Sequence, residues 1–356
     1  MAQAYGEAVA RAGAAALAVL GALEAAQRRL HPPDLPALRA GLAPLAARSR
    51  EAGEALARIH APPGLEAFHQ QLAAGLGHAA EAARLFAEAG DPAGAVAQVL
   101  ASLRRHCRAQ EALYPLRQAL PPLGRYFAEP AWHERLADLD PEPPAGIAVG
   151  VHAAGEPDAR GGFHLYVPER YRGEREWPLL VALHGGFGHG RDFLWTWLRE
   201  ARCRGFLLLA PTSRGTTWSL QAPDVDAAAL RSMIDYVAER WRVDRRRILL
   251  TGLSDGATYA LLAGLAPGAP CTAVAALAGV LHPRTRLDQA AGRRIYLVHG
   301  ALDWLFPPAL ARLGRDALAR AGAELVYREL EDLSHTYPRD ENARILAWFD
   351  PSLAEG

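Results

Sequence analysis

The sequence predicts an α/β domain, a mostly parallel sheet flanked by helices, preceded by an all-α helical bundle. Three observations carry that prediction. Residues before about 140 repeat their apolar side chains at helical steps. Residues after it alternate short, almost continuous apolar runs with helical stretches. Between them "DLDPEPP", Asp138 to Pro144, interrupts both patterns with proline and acidic residues. The expected domains are residues 1–140, the bundle, and 141–356, the sheet domain. A chain of 356 residues is long enough to bury a core in each.

In the first part Leu65, Phe68, Leu72, Leu76, Ala79, Ala83 and Phe86 recur at steps of three and four, one face of a helix. Breaks at "HPPDLP", "APPG" and "AGDPAG" separate about four long helices, the pattern of an antiparallel bundle. Asp91 is the expected N-cap of the last, with Pro92 at the first helical position, where its missing N–H costs nothing. Ala12–Ala26 is the body of the first helix rather than a targeting segment, because Glu7 accompanies Arg11 before it and Glu24 lies within it. No run is expected to reach the length of a membrane span. His60, His69 and His78, nine apart, fall on opposite sides of a helix and read as packing or surface residues, not metal ligands.

The 39 basic residues, all arginine, balance 39 acidic ones, so no electrostatic footprint points to nucleic acid or an anionic membrane surface. Cys107, Cys203 and Cys271 are odd in number and far apart. They suit reduced thiols, and therefore a reducing, cytoplasmic compartment, better than a disulfide framework.

The second part holds "FHLYVPERY", "PLLVALHGG", "FLLLAPT", "RRILLTGLS", "TAVAALAGV", "RRIYLVHG" and "AELVYREL". Runs apolar throughout belong to strands buried on both faces, hence to a mostly parallel sheet whose ligand crevice lies at the strands' carboxyl ends. Four of those ends carry chemistry. "RRILLTGLSDG" puts Ser254 between Gly252 and Gly256 on a tight strand-to-helix turn, with helix N–H groups beneath the hydroxyl. "PLLVALHGGFGHG" ends in His184, Gly185 and Gly186, whose backbone N–H groups can meet a developing oxyanion together with that of Asp255. Asp303 and His335 follow the next two relevant strands. A serine hydroxyl needs an imidazole to take its proton and a carboxylate to orient that imidazole, and the order here is Ser, Asp, His.

These motifs together resemble the α/β-hydrolase superfamily. Within it, "VALHGG", "GLSDG", "VHGALDWLFP" and "DLSHTYP" are similar to the carboxylesterase/phospholipase and polyester-depolymerase or feruloyl-esterase-like branches. The resemblance covers roughly the last 210 residues. It departs at Ala257, where many such carboxylesterases have a second glycine. It implies a metal-independent, cofactor-free serine hydrolase of a small-molecule carboxylic ester or thioester. Ser254 is the nucleophile, His335 the base and Asp303 the acid; the oxyanion hole comes from Asp255 and from Gly186 or Phe187. The carboxylate of Asp255 is expected to face away from the oxyanion.

Asp288, Glu331 and Asp332 compete with Asp303 as the acid, and His299, His184 and His282 with His335 as the base. Trp218 and Trp304 lie on loops at strand ends and are expected to line the substrate crevice, whereas Trp195 and Trp197 read as packing. Two other readings stand beside the esterase: a serine peptidase of the same fold, and a non-enzymatic interaction protein on a hydrolase scaffold. The helical domain has no catalytic spacing, which leaves it a role near the crevice or in a homo-oligomer contact.

Overall fold

The computed structural model describes residues 2–88, 92–156 and 158–354, and the chain divides into two compact units, residues 1–136 and 137–356. The expected N-cap Asp91 lies outside the described residues.

The first unit contains four long helices, α1 (Ala2–Arg28), α2 (Leu35–Ala57), α3 (Glu66–Ala87) and α4 (Pro92–Leu113), followed by the short α5 (Pro121–Tyr126). Each buries one stripe. In α1 Tyr5, Ala8, Ala12, Ala16, Val19, Leu23 and Ala26 are buried at steps of three and four. In α3 the predicted Leu72, Leu76, Ala79, Ala83 and Phe86 are buried, whereas Leu65 precedes the helix and is exposed. A buried leucine contributes roughly 1.5–3 kcal/mol by leaving water, so these stripes rather than intrinsic helix propensity hold the bundle. Gly75 lets α3 pack tightly against the end of α4: a Cβ there would lie 2.5 Å from the Leu113 side chain. Nearby, the buried Ser102 hydroxyl donates to the Ala82 carbonyl at 2.7 Å.

One sequence expectation needs correcting. Residues 3–28 of α1 are long and apolar enough to cross a membrane by length and composition, because alanines widen the apolar stripe without adding charge. Of its apolar 18-residue window 44% is buried within the protein.

The second unit opens with the end of α6 (Leu136–Leu139) and contains an eight-stranded sheet. Its strands are β1 (Gly150–Ala154), β2 (Phe163–Val167), β3 (Trp177–Leu183), β4 (Leu207–Pro211), β5 (Val243–Leu253), β6 (Ala273–Leu277), β7 (Arg294–Gly300) and β8 (Glu324–Leu330). They run in the order 1-2-4-3-5-6-7-8, with β1 and β2 antiparallel to their neighbours and the rest parallel. That is the order of the α/β-hydrolase fold. The connecting helices are the short α7 (Gly190–Phe193) and α8 (Leu198–Glu200), then α9 (Asp226–Arg240), α10 (Asp255–Gly264), α11 (Pro308–Arg320) and α12 (Asn342–Phe349). Every residue of β2, β3, β4 and β6 is buried, which is why those strands read as unbroken apolar runs.

The chain leaves β3 toward β4 on one side and returns to β5 on the other, so the direction of winding reverses at β3. Loops leaving β3 and β5 at such a point diverge and open a crevice at their carboxyl ends. A buried ion pair secures the start of this unit: fully buried Arg202 donates to Asp140 Oδ2 at 2.6 Å.

Candidate active site

The turn between β5 and α10 is strained at one residue. Ser254 has φ 57° and ψ −121°, a conformation L-residues seldom adopt, and its N–H donates to the Leu277 carbonyl on neighbouring β6 at 2.9 Å. The two flanking glycines have steric causes. A Cβ on Gly252 would lie 2.5 Å from the backbone of Gly256, and one on Gly256 would lie 2.4 Å from both the Leu183 and His184 carbonyls at the end of β3. The helix can therefore begin directly against β3 only because residue 256 has no side chain. The departure at Ala257 has its own accommodation: a Cβ on Gly279 would lie 2.6 Å from the Ala257 methyl.

Ser254 Oγ lies 2.9 Å from His335 Nε2, and His335 Nδ1 lies 2.8 Å from Asp303 Oδ2. Asp303 is 5% exposed, and its other oxygen accepts from the N–H groups of Leu305 at 3.0 Å and Phe306 at 2.7 Å. Burial works to raise its pKa, but the bonds from His335 and the Phe306 N–H outweigh that and hold the carboxyl below its ordinary value. The acid loop is clipped to the histidine loop. The Leu302 N–H donates to the Leu333 carbonyl at 2.9 Å and the Ser334 hydroxyl to the Leu302 carbonyl at 3.1 Å. Gly300 permits this approach, since a Cβ there would lie 2.2 Å from the Leu333 carbonyl. Phe306 stands edge-on to the imidazole, with ring centroids 5.1 Å apart.

The rival residues sit elsewhere. Asp288 is exposed and held by both arms of Arg286 at 2.7 and 2.8 Å, which lowers its pKa. Glu331 and Asp332 are exposed loop residues. His299 is buried, with Nε2 2.8 Å from the Phe306 carbonyl and 3.3 Å from Asp303 Oδ2, behind the acid rather than facing the serine. His184 Nε2 accepts the Ser213 N–H at 3.1 Å, which leaves the proton on Nδ1, 2.7 Å from the Gly185 carbonyl. Burial pushes its pKa down to about 3, helped by Arg160 and His189 and opposed by the Gly185 bond, so it is a neutral strut.

Of the two alternative oxyanion donors on this loop, Phe187 is engaged: its N–H donates to the Thr216 carbonyl at 2.8 Å. Among the described residues no acceptor takes the Gly186 N–H. Asp255 is the first residue of α10, where a helix leaves its N–H groups without intrahelical acceptors. Its carboxylate lies against Thr217 and Gly186. Oδ2 accepts the Thr217 hydroxyl at 2.6 Å, and a Cβ on Gly186 would lie 2.8 Å from that same oxygen. Thr217 thus holds the carboxylate beside Gly186. Nothing in the sequence marks Thr217 beyond its place beside Trp218.

Trp218 also departs from expectation as a crevice wall. It is 3% exposed, donates Nε1–H to the His184 carbonyl at 2.8 Å and stacks on Tyr259, so it buttresses the loop after β3 from inside the core. Trp304 is 52% exposed beside Asp303, with Leu302, Leu305 and Phe187 also exposed. Trp195 and Trp197 are buried, as expected of packing. Among the described residues no group of three or more metal-ligating side chains is found.

Residues 224–350 match the phospholipase/carboxylesterase family model. No curated protein matches the chain. Among solved structures it is similar to a thermostable esterase at 22% identity, covering 56% of this chain and 61% of that one, with a TM-score of 0.47. It is also similar to a ferulic acid esterase, at 15% identity, coverage of 58% and 100%, and a TM-score of 0.46. An acetyl xylan esterase from Aspergillus awamori gives 14% identity, coverage of 56% and 98%, and a TM-score of 0.45. The chain spans less than two thirds of the thermostable esterase's own length.

Proposed function

We propose, from the premise that residues 137–356 form an α/β-hydrolase, that this protein is a serine esterase cleaving a carboxylic ester or thioester through an acyl-enzyme. The observation that carries the reading is the unbroken relay from Ser254 Oγ through His335 to the buried Asp303 carboxylate, with 2.9 and 2.8 Å links. The family match over residues 224–350, which contains all three, supports ester hydrolysis.

In the proposed reaction Ser254 Oγ attacks the carbonyl carbon as its proton passes to His335 Nε2, and the carbonyl electron pair moves onto oxygen. Asp303 fixes the Nδ1–H tautomer and stabilises the imidazolium. The N–H groups of Asp255 and Gly186 receive the oxyanion. As the tetrahedral adduct collapses, the bond to the alcohol oxygen breaks and His335 returns its proton to that oxygen. Water then attacks the acyl-enzyme with His335 again as base, releasing the acid and restoring Ser254. The exposed Trp304, Leu305 and Phe187 offer apolar surface to the remainder of the substrate. A reducing, cytoplasmic setting is part of the proposal, on three cysteines that are odd in number and far apart in the sequence, of which Cys203 and Cys271 are buried.

The test is fluorophosphonate labelling with the modified residue identified by mass spectrometry, together with hydrolysis of an ester panel and a matched peptide substrate. Labelling on Ser254, ester turnover and its loss by several orders of magnitude in Ser254→Ala are expected. A Ser254→Ala variant that keeps near wild-type turnover would sink the reading, and turnover of the peptide in preference to esters would move it to the peptidase alternative.

A further inference from the structure

Building on the esterase reading, we infer that Asp255 selects esters carrying a cationic ammonium group close to the scissile carbonyl. In the proposed reaction the residue after the nucleophile supplies its N–H to the oxyanion, and here its carboxylate also lies against the loop that supplies the other N–H. One oxygen is fixed by the Thr217 hydroxyl and lies against the Cα of Gly186, the glycine that supplies the other N–H. A Cβ on residue 186 would lie 2.8 Å from this oxygen, so a side chain there would displace the carboxylate from its place.

The charge of this carboxylate is unanswered within the protein. Among the described residues neither arginine nor histidine lies within ion-pair distance of it, and no donor reaches its second oxygen. The His335 imidazolium that forms when Ser254 attacks is committed to Asp303. Asp255 is the first residue of α10, on the turn that carries Ser254. A negative charge this close to a developing oxyanion opposes the transition state of a neutral ester and opposes an anionic one more. An ammonium on the substrate reverses that balance, because it satisfies the free oxygen and offsets both negative charges at once. The residue is only partly buried, so such a group can reach it. If the carboxylate served only to tie Thr217 to α10, an amide oxygen would accept the same hydroxyl equally well.

That last point makes Asp255→Asn the informative variant. Two matched pairs are compared by pH-stat kcat/KM, each pair differing in the charge of one group. Glycine ethyl ester against ethyl propanoate places the ammonium in the acyl part; acetylcholine against 3,3-dimethylbutyl acetate places it in the alcohol. The wild-type enzyme should favour the cationic member of at least one pair, and Asp255→Asn should lower that ratio about tenfold while raising turnover of the neutral ester. The pair that responds identifies the side on which the ammonium sits. If both ratios stay within about twofold of wild type, the inference is overturned. Fluorophosphonate labelling of Ser254 is followed in parallel, so a chain that neither labels nor cleaves any ester refutes the esterase reading instead. Should Asp255→Asn fail to fold, the wild-type ratio is read from low to high ionic strength, where screening must reduce it; a ratio that ignores salt would equally overturn the inference.

Discussion

Replacing Asp303 by Asn tests the relay at its least accessible member. Two backbone N–H groups, from Leu305 and Phe306, point at Oδ1, so the amide introduced by Asp303→Asn must present its oxygen to them. Its NH2 then faces His335 Nδ1, where the native Oδ2 accepts at 2.8 Å. Two donors cannot meet. The imidazole therefore shifts to the tautomer with its proton on Nε2, which faces Ser254 Oγ and can no longer take the serine proton. The lost orientation and imidazolium stabilisation should lower kcat by about 10⁴-fold, or about 5.5 kcal/mol in the barrier. The two loop bonds survive, so the melting temperature should move by only a few degrees. The assay is single-turnover labelling by a fluorophosphonate and steady-state hydrolysis of a short neutral ester, with circular dichroism to confirm the fold. A kcat within about tenfold of wild type would refute the assignment of Asp303, and so would an equal loss in Asp288→Asn, whose exposed carboxylate is occupied by Arg286.

Three further outcomes follow from local geometry. Asp288→Asn should leave both turnover and stability within experimental scatter. Gly256→Ala forces a methyl to 2.4 Å from two carbonyls at the end of β3, and should cost about 2–4 kcal/mol of stability with a matching fall in serine labelling; an unchanged thermal melt would contradict the close packing described. His184 is held neutral in the folded protein, at about 3, while the unfolded chain takes up its proton near the ordinary value of about 6.5. The stability it preserves is whole above that ordinary value and is lost as pH falls toward 3. Between pH 7 and 5 the loss is about 2 kcal/mol. In urea unfolding, His184→Gln should show a shallower fall over that interval than wild type, and an identical slope would refute the neutral assignment.

What was legible in the sequence followed burial. Strands buried on both faces write themselves as apolar runs, so β2 to β7 were read from their residues; β8, a half-exposed edge, was read from its β-branched and aromatic residues, whereas β1, "GVHAA", alternates half-exposed positions at an antiparallel edge and left no run to find. Ser254, Asp303 and His335 were legible because each sits just beyond a readable strand. Thr217 was not, because its role depends on a contact 38 residues away in the chain. Trp218 misled for a related reason: composition marks it as an aromatic on a loop, but only the fold shows that the loop turns inward and hands its indole N–H to His184. The alanine-rich α1 misled in the opposite sense, since small side chains accumulate to the hydropathy of a span while looking weakly apolar one by one.

The ion pair between Arg202 and Asp140 decides where a portable catalytic module can begin. By composition the natural place to sever the chain is within the proline-rich stretch, at Pro144. Starting there would discard Asp140 while keeping the fully buried guanidinium that donates to it at 2.6 Å. Removing one partner of a buried pair costs about 3–5 kcal/mol, a large share of the net stability of a domain of this size. A gene fragment that starts at Ala137 carries its own counter-charge, whereas one that starts at Pro144 carries a debt into every folding event. In this chain Asp140, an acidic residue of an apparent spacer, is therefore structural cargo of the second unit, and any fusion, permutation or transplant of that unit should be designed to include it.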